Sequence, residues 1–146
     1  ARKGYESIHN LTYWTYQDYI GIGAGAHSRL TQDGVKYAIR RHRSPEMWLE
    51  TIQKTGNGTH VMTPLLRTDQ ISEFTMMGLR LKKGIERHRF KEQIGHDFSD
   101  VFCANKLSAL TQENLIKMTP QSIALTPYGQ QRLDAVLNYL LPPNVQ

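Results

Sequence analysis

The hydrophobic pattern of this chain changes character near Pro64, and that break constrains the fold more than any other feature. Before it, β-branched runs surround a single well-capped helix. After it, apolar residues recur at helical spacing with one short interruption. The expectation is an α+β protein in two parts, residues 1–64 and residues 65–146.

In the first part, YIGIG (Tyr19–Gly23) reads as a buried strand that runs into a tight glycine loop. VKYAI (Val35–Ile39) alternates as a second strand, with Val35, Tyr37 and Ile39 on one face. In SPEMWLETIQKTG, Ser44 can cap a helix, Pro45 suits its first position, Glu46 favours the positive end of its dipole and Gly56 ends it. This strand, loop, strand, helix piece looks like part of a larger α/β sheet.

In the second part, Thr68 is the expected cap of a helix through ISEFTMMGLRL, with Ile71, Phe74, Met77 and Leu81 along one stripe and Gly84 closing it. Met76 and Met77 read as core. Short helices are expected around Phe90 and Ile94 and around Phe98, Val101 and Phe102, and Leu107, Leu110 and Leu115 extend the helical part. MTPQS is a turn between strands LIKM and SIAL, and Thr126-Pro127 starts a last helix that carries Leu133, Val136, Leu137 and Leu140. Helices, a hairpin and a closing helix make a winged-helix-like arrangement.

Composition narrows the chemistry. The lone cysteine, Cys103, excludes an internal disulfide and any multi-cysteine metal site built by this chain alone; it is expected to be a small buried hydrophobe without a role. No apolar run approaches the ~20 residues of a membrane-spanning helix, and the N-terminal residues lack the apolar core of a signal peptide, so a cytoplasmic protein is expected. A formal charge of +5 and a pI near 9.4 favour anionic partners without naming one.

Three motifs could carry function. HNLTYW (His9–Trp14) sets an imidazole beside aromatic rings whether it is helical or extended; it reads either as a partly buried aromatic cluster or as a ligand clamp. GIGAGAHSRL (Gly21–Leu30) has glycines at alternate positions, which permit close approach of a ligand or backbone, but it misses the dinucleotide fingerprint. IRRHR and RLKKGIERHRFK are basic clusters, the second with six Lys or Arg against Glu86 alone; they are solvated faces or phosphate and propionate contacts. His42, His60, His88 and His96 show no zinc-ligand spacing, and neither a P-loop nor a G-x-S-x-G elbow is present.

Taken in order, GYESIHNLTYW, DYIGIGAGAHSRL, PEMWLE, EFTMMGLRLKKGI and LTPYGQQRLDAVL resemble the C-terminal part of the HemW-type haem chaperones, radical-SAM proteins related to oxygen-independent coproporphyrinogen III oxidase. The resemblance implies that residues 1–64 are the last strand and helix units of a truncated (β/α) radical-SAM barrel, and that residues 65–146 are an appended helical, winged-helix-like domain. It places haem binding on His9, Asn10, Tyr13 and Trp14, with His9 as the metal ligand. Gly23, Ala24 and Gly25 would fall near the S-adenosylmethionine site. Ile8 departs from the family pattern, where a polar or basic residue is expected before the His-Asn pair. The family's [4Fe–4S] cluster needs a C-x-x-x-C-x-x-C motif that this chain does not contain, so alone it should be catalytically inactive.

Haem chaperones of this kind deliver haem to respiratory enzymes, which makes haem and haem-accepting enzymes the implied partners. Former barrel edges would favour a homodimer. The competing enzyme reading is part of a coproporphyrinogen III oxidative decarboxylase. A winged-helix nucleic-acid binder is the third reading, and it is disfavoured because NKLSALTQENL and the MTPQS turn offer few cations to bases or phosphates.

Overall fold

The computed structural model describes residues 4–141. They fall into two compact units: residues up to Tyr13 together with Gln17–Leu66, and Trp14–Tyr16 together with residues from Arg67 onward. Each unit is α+β with a small antiparallel sheet.

The first unit begins with α1 (Ile8–Trp14), whose last residue is counted with the second unit. Three strands follow: β1 (His27–Gln32), β2 (Val35–Arg41) and β3 (Thr59–Pro64), in the order β1-β2-β3 and antiparallel throughout. Asp33 and Gly34 join β1 to β2 with φ of 50° and 76°, while Gln32 faces Val35 across the turn. Positive φ at both central residues matches the twist of the flanking strands, which is why Asp-Gly closes hairpins so readily. Between β2 and β3 lies α2 (Pro45–Thr55). Its Ser44 side chain accepts from the Met47 N–H, Pro45 opens it, and Gly56 ends it at φ 74°, as the sequence implied. Trp48 of α2 covers Gly58, where any Cβ would run into the indole.

YIGIG does not form the expected strand. Only Tyr19 pairs, in an isolated bridge whose N–H and carbonyl both bond Arg29. Beyond it the backbone turns: Gly23 and Gly25 have φ of 101° and 72°, and the Gly25 N–H donates to the His42 carbonyl at 2.6 Å. The β-branched side chains that suggested burial, Ile20 and Ile22, are exposed. Period-2 apolar spacing therefore marked a loop here.

The second unit contains α3 (Arg67–Gly78), β4 (Ile85–Glu86), α4 (Arg87–Ile94), α5 (Phe98–Val101), α6 (Ala104–Gln112), β5 (Ile116–Met118), β6 (Ser122–Leu125), α7 (Pro127–Gln130) and α8 (Leu133–Leu140). The β5–β6 hairpin around the MTPQS turn forms as expected, and β4 adds to it in the order β4-β6-β5. Thr68 lies inside α3 and does not cap it, and α3 stops at Gly78. Gly78 packs so tightly on Ile85 that a Cβ would approach its Cγ1 to 2.8 Å. Thr126 does cap a helix, but that helix is the short α7; the chain breaks at Gln131 and Arg132 before α8 begins.

The continuous core is in this second unit. Phe90, fully buried, meets Phe74, Phe98 and Phe102 at ring-centroid distances of 5.2 to 5.6 Å. Leu79, Ile85, Ile123, Val136 and Leu140 close it, and Ile71 and Met76 pack at its margin. Cys103 is exposed, contrary to expectation, in the cap position of α6; the backbone N–H groups of Lys106 and Asn105 pull its thiol pKa below the ordinary value.

Candidate functional site

HNLTYW is helical. His9 and Tyr13 are thus one turn apart on one face of α1, and their rings meet edge to face with centroids 4.7 Å apart. Tyr13 in turn meets Tyr19 edge to face at 4.3 Å. The result is a ladder of three rings, His9 to Tyr13 to Tyr19, within the first unit. His9 and Asn10 are exposed and Tyr13 is half-buried. The Asn10 N–H bonds the Ser7 hydroxyl at 3.4 Å, near the start of the helix.

The helix ends in a way that fixes its last residues. The Gln17 N–H reaches back to the Thr12 carbonyl at 3.0 Å, and Tyr16 between them takes φ 57°. This is the pattern of a left-handed C-terminal cap, with tyrosine where glycine is usual. A non-glycine residue in that region carries strain, and it needs surroundings that hold it there. Tyr16 is buried, its ring lies 5.4 Å from that of Phe74, and its hydroxyl donates to Glu73 at 3.2 Å. Arg89 donates to the Thr15 carbonyl at 3.1 Å. Trp14 is half-buried and lines a small solvent-open cleft of about 220 Å³ with Leu81, Lys83, Gly84 and Arg89, all in the second unit.

The loop through Gly23, Ala24 and Gly25 stands apart from the helix in sequence but joins the same unit through Tyr19. Gly21 must be glycine, since a Cβ would run into the His27 carbonyl, and its N–H donates to the Ser28 hydroxyl at 3.0 Å. Gly25 and Ala26 spend their N–H groups on the His42 and Gly23 carbonyls. The concavity that the alternate glycines suggested is therefore partly closed by its own hydrogen bonds. Gly23 keeps open space around the position of a Cβ.

Asp18 ties this loop to the hairpin. Its carboxylate accepts from the Thr31 N–H at 2.5 Å and hydroxyl at 3.0 Å, and from Lys36 Nζ at 2.8 Å. Partial burial acts to raise its pKa, but Lys36 and Thr31 outweigh that and hold the carboxyl below its usual range. Lys36 is 6% exposed, so the pair also satisfies a nearly buried cation. The sequence reading missed both the pair and Tyr19; the Asp-Gly hairpin signal would have placed Thr31 and Lys36 side by side.

Several cations of the basic clusters are engaged. Lys83 pairs with Glu86, and Arg87 holds Asp97, the capping residue of α5. His60 sits where the β2–β3 register shifts between Arg40 and Arg41, and its ring meets that of His42 at 4.3 Å. Among the described residues no group of three or more His, Cys, Asp or Glu is placed to hold a metal ion, and no helix is long and apolar enough to cross a membrane.

Residues 65–132 match the family model described as the HemN C-terminal domain. The chain is 32% identical to the heme chaperone HemW of Bacillus subtilis over 89% of its own length, and 32% identical to a mitochondrial radical S-adenosyl methionine domain-containing protein 1 of Bos taurus over 97%. It spans 33% of the length of each of those relatives. The solved coproporphyrinogen III oxidase (HemN) of Escherichia coli, a radical SAM enzyme, shares its fold at a TM-score of 0.61 and 18% identity, covering 84% of this chain and 28% of that one. Almost the whole chain is thus similar to a part of these HemW and radical S-adenosyl methionine domain-containing proteins, and residues 65–132 match the HemN C-terminal domain.

Proposed function

We propose that this chain is the C-terminal, haem-binding part of a HemW-type radical-SAM haem chaperone, which binds haem for delivery to haem-accepting respiratory enzymes. The observation that carries the reading is the exposed imidazole of His9, held edge-on by Tyr13 on the helix of the HN-x-x-YW motif. A neutral imidazole nitrogen is a suitable axial donor for haem iron, and aromatic faces suit the porphyrin plane. His9 would ligate the iron, Tyr13 would orient the imidazole, and Asn10 and Trp14 would complete the contact surface. Bound haem would supply only itself, as cargo.

Relatives named heme chaperones, at about 30% identity, support this reading over the oxidase alternative. The alternative, part of a coproporphyrinogen III oxidative decarboxylase, draws support from the fold shared with HemN. The donor set here does not fit a [4Fe–4S] cluster, because this chain has a single cysteine, Cys103, and such a cluster is held by several thiolates. S-adenosylmethionine contact at Gly23, Ala24 and Gly25 goes with the same radical-SAM reading.

The same reading makes residues 1–64 the remnant of the radical-SAM barrel and residues 65–146 a winged-helix-like domain. The succession of α3, β4, the helices α4 to α6 and the β5–β6 hairpin supports the second assignment. The antiparallel pairing of β1, β2 and β3 departs from the parallel strands of such a barrel, so the first assignment rests on the resemblance in sequence. The outer edge of β3 would pair two copies, and the cytoplasm is the proposed place of work, with an organelle as the alternative given relatives named mitochondrial.

Titration of the intact protein with haem tests the proposal. A Soret band typical of histidine-ligated haem is expected, and its persistence unchanged in His9→Ala would overturn the assigned ligand. Anaerobic turnover of coproporphyrinogen would favour the oxidase instead.

A further inference from the structure

From the ring ladder we infer that Tyr19, outside the HN-x-x-YW motif, is the positioning residue of the haem site, acting on His9 through Tyr13. This inference rests on the haem-binding reading above. Tyr19 is the residue of the YIGIG run that forms a β-bridge: its N–H donates to the Arg29 carbonyl at 2.8 Å and its carbonyl accepts from the Arg29 N–H at 3.0 Å. Those bonds anchor it to β1, whose hairpin is closed by Asp33-Gly34 and pinned by Asp18 to Thr31 and Lys36.

A ring carried on that anchored segment is a fixed stop. Tyr13 abuts it at 4.3 Å with an interplanar angle of 72°, and His9 abuts Tyr13 at 4.7 Å and 89°. Edge-to-face contacts have preferred orientations, so each ring restricts the rotation of the next. His9 is exposed and would otherwise sample several rotamers, each of which ordering on ligation would have to suppress. The ladder thus transfers the rigidity of the sheet to an imidazole on a seven-residue helix. It also gives the glycine loop a use independent of any anion: its turns at Gly23 and Gly25 return the chain to β1 so that Tyr19 and Arg29 can pair.

The test compares Tyr19→Ala, Tyr19→Phe and His9→Ala in haem titrations of the intact protein, with the Soret position read beside the affinity. Tyr19→Ala is expected to weaken binding about five-fold, equivalent to roughly 1 kcal/mol for one aromatic pair, and to broaden the histidine-ligated Soret band. Tyr19→Phe, which keeps the ring edge, should restore both. Circular dichroism of Tyr19→Ala should match the parent, because the backbone bridge does not need the ring. Parental affinity and spectrum in Tyr19→Ala would overturn the inference while leaving the haem site standing, provided that His9→Ala loses the band. Parental binding by His9→Ala would overturn the underlying reading and the inference with it.

Discussion

The two units bury their apolar residues in opposite ways. The second unit encloses Phe90, Leu79, Ile85, Ile123 and Val136 at 1% exposure or less. The first leaves Ile8, Ile20, Ile22, Leu49 and Leu66 more than half exposed and invests instead in polar fixings: the Asp18–Lys36 pair, the Ser44 cap and the ring ladder. Apolar area removed from water stabilises by roughly 25 cal/mol per Å². The second unit thus draws its stability from a packed core, whereas the first relies on local polar contacts.

The contrast breaks most easily at Phe90. Replacing it with alanine should cost about 3–5 kcal/mol, because a fully buried aromatic ring leaves a cavity among Phe74, Phe98 and Phe102. Urea unfolding followed by circular dichroism measures this. Gly84→Ala should come next, losing about 1–3 kcal/mol from overpacking, since its Cβ would strike the Ile123 carbonyl at a backbone φ of 70°; the thermal midpoint should fall accordingly.

In the first unit the larger effect should be electrostatic. Asp18→Asn removes the charge facing nearly buried Lys36 and should cost about 1 kcal/mol once solvent screening of the half-open carboxylate is allowed for. The same pair sets a pH dependence. With the folded pKa depressed, its contribution is complete above the unfolded value of about 3.9 and is lost as pH falls through the lower folded value. Acid unfolding of the parent should therefore show a component that Asp18→Asn lacks. Smallest of all, Ile22→Ser should change stability by less than about 0.5 kcal/mol, because its side chain is 87% exposed. A large loss there would show that Ile22 is covered, and would erase the distinction between the units.

This contrast also explains what could be read in advance. Helix α2 was legible because its cap, first-turn proline and terminal glycine are local signals. The β5–β6 hairpin and the helices around Phe90, Phe98 and Leu107 were legible because apolar spacing reports a core that exists. YIGIG misled because its isoleucines face outward, and spacing there has no packed face to report. The end of α3 at Gly78 and the two-residue β4 depend on Ile85 closing against Gly78, a tertiary contact with no local signature. At the candidate site the motif named His9 and Tyr13, and the helix supplied their shared face. Tyr19 was hidden because its relation to them depends on the fold of a loop.

Haem titration of the parent and of His9→Ala, read at the Soret band under identical conditions, tests the central claim most directly. The account expects a histidine-ligated band in the parent that is lost in the variant, with the circular dichroism of both unchanged. A parent that leaves the haem spectrum unaltered, or a variant with the parent's band, would contradict it.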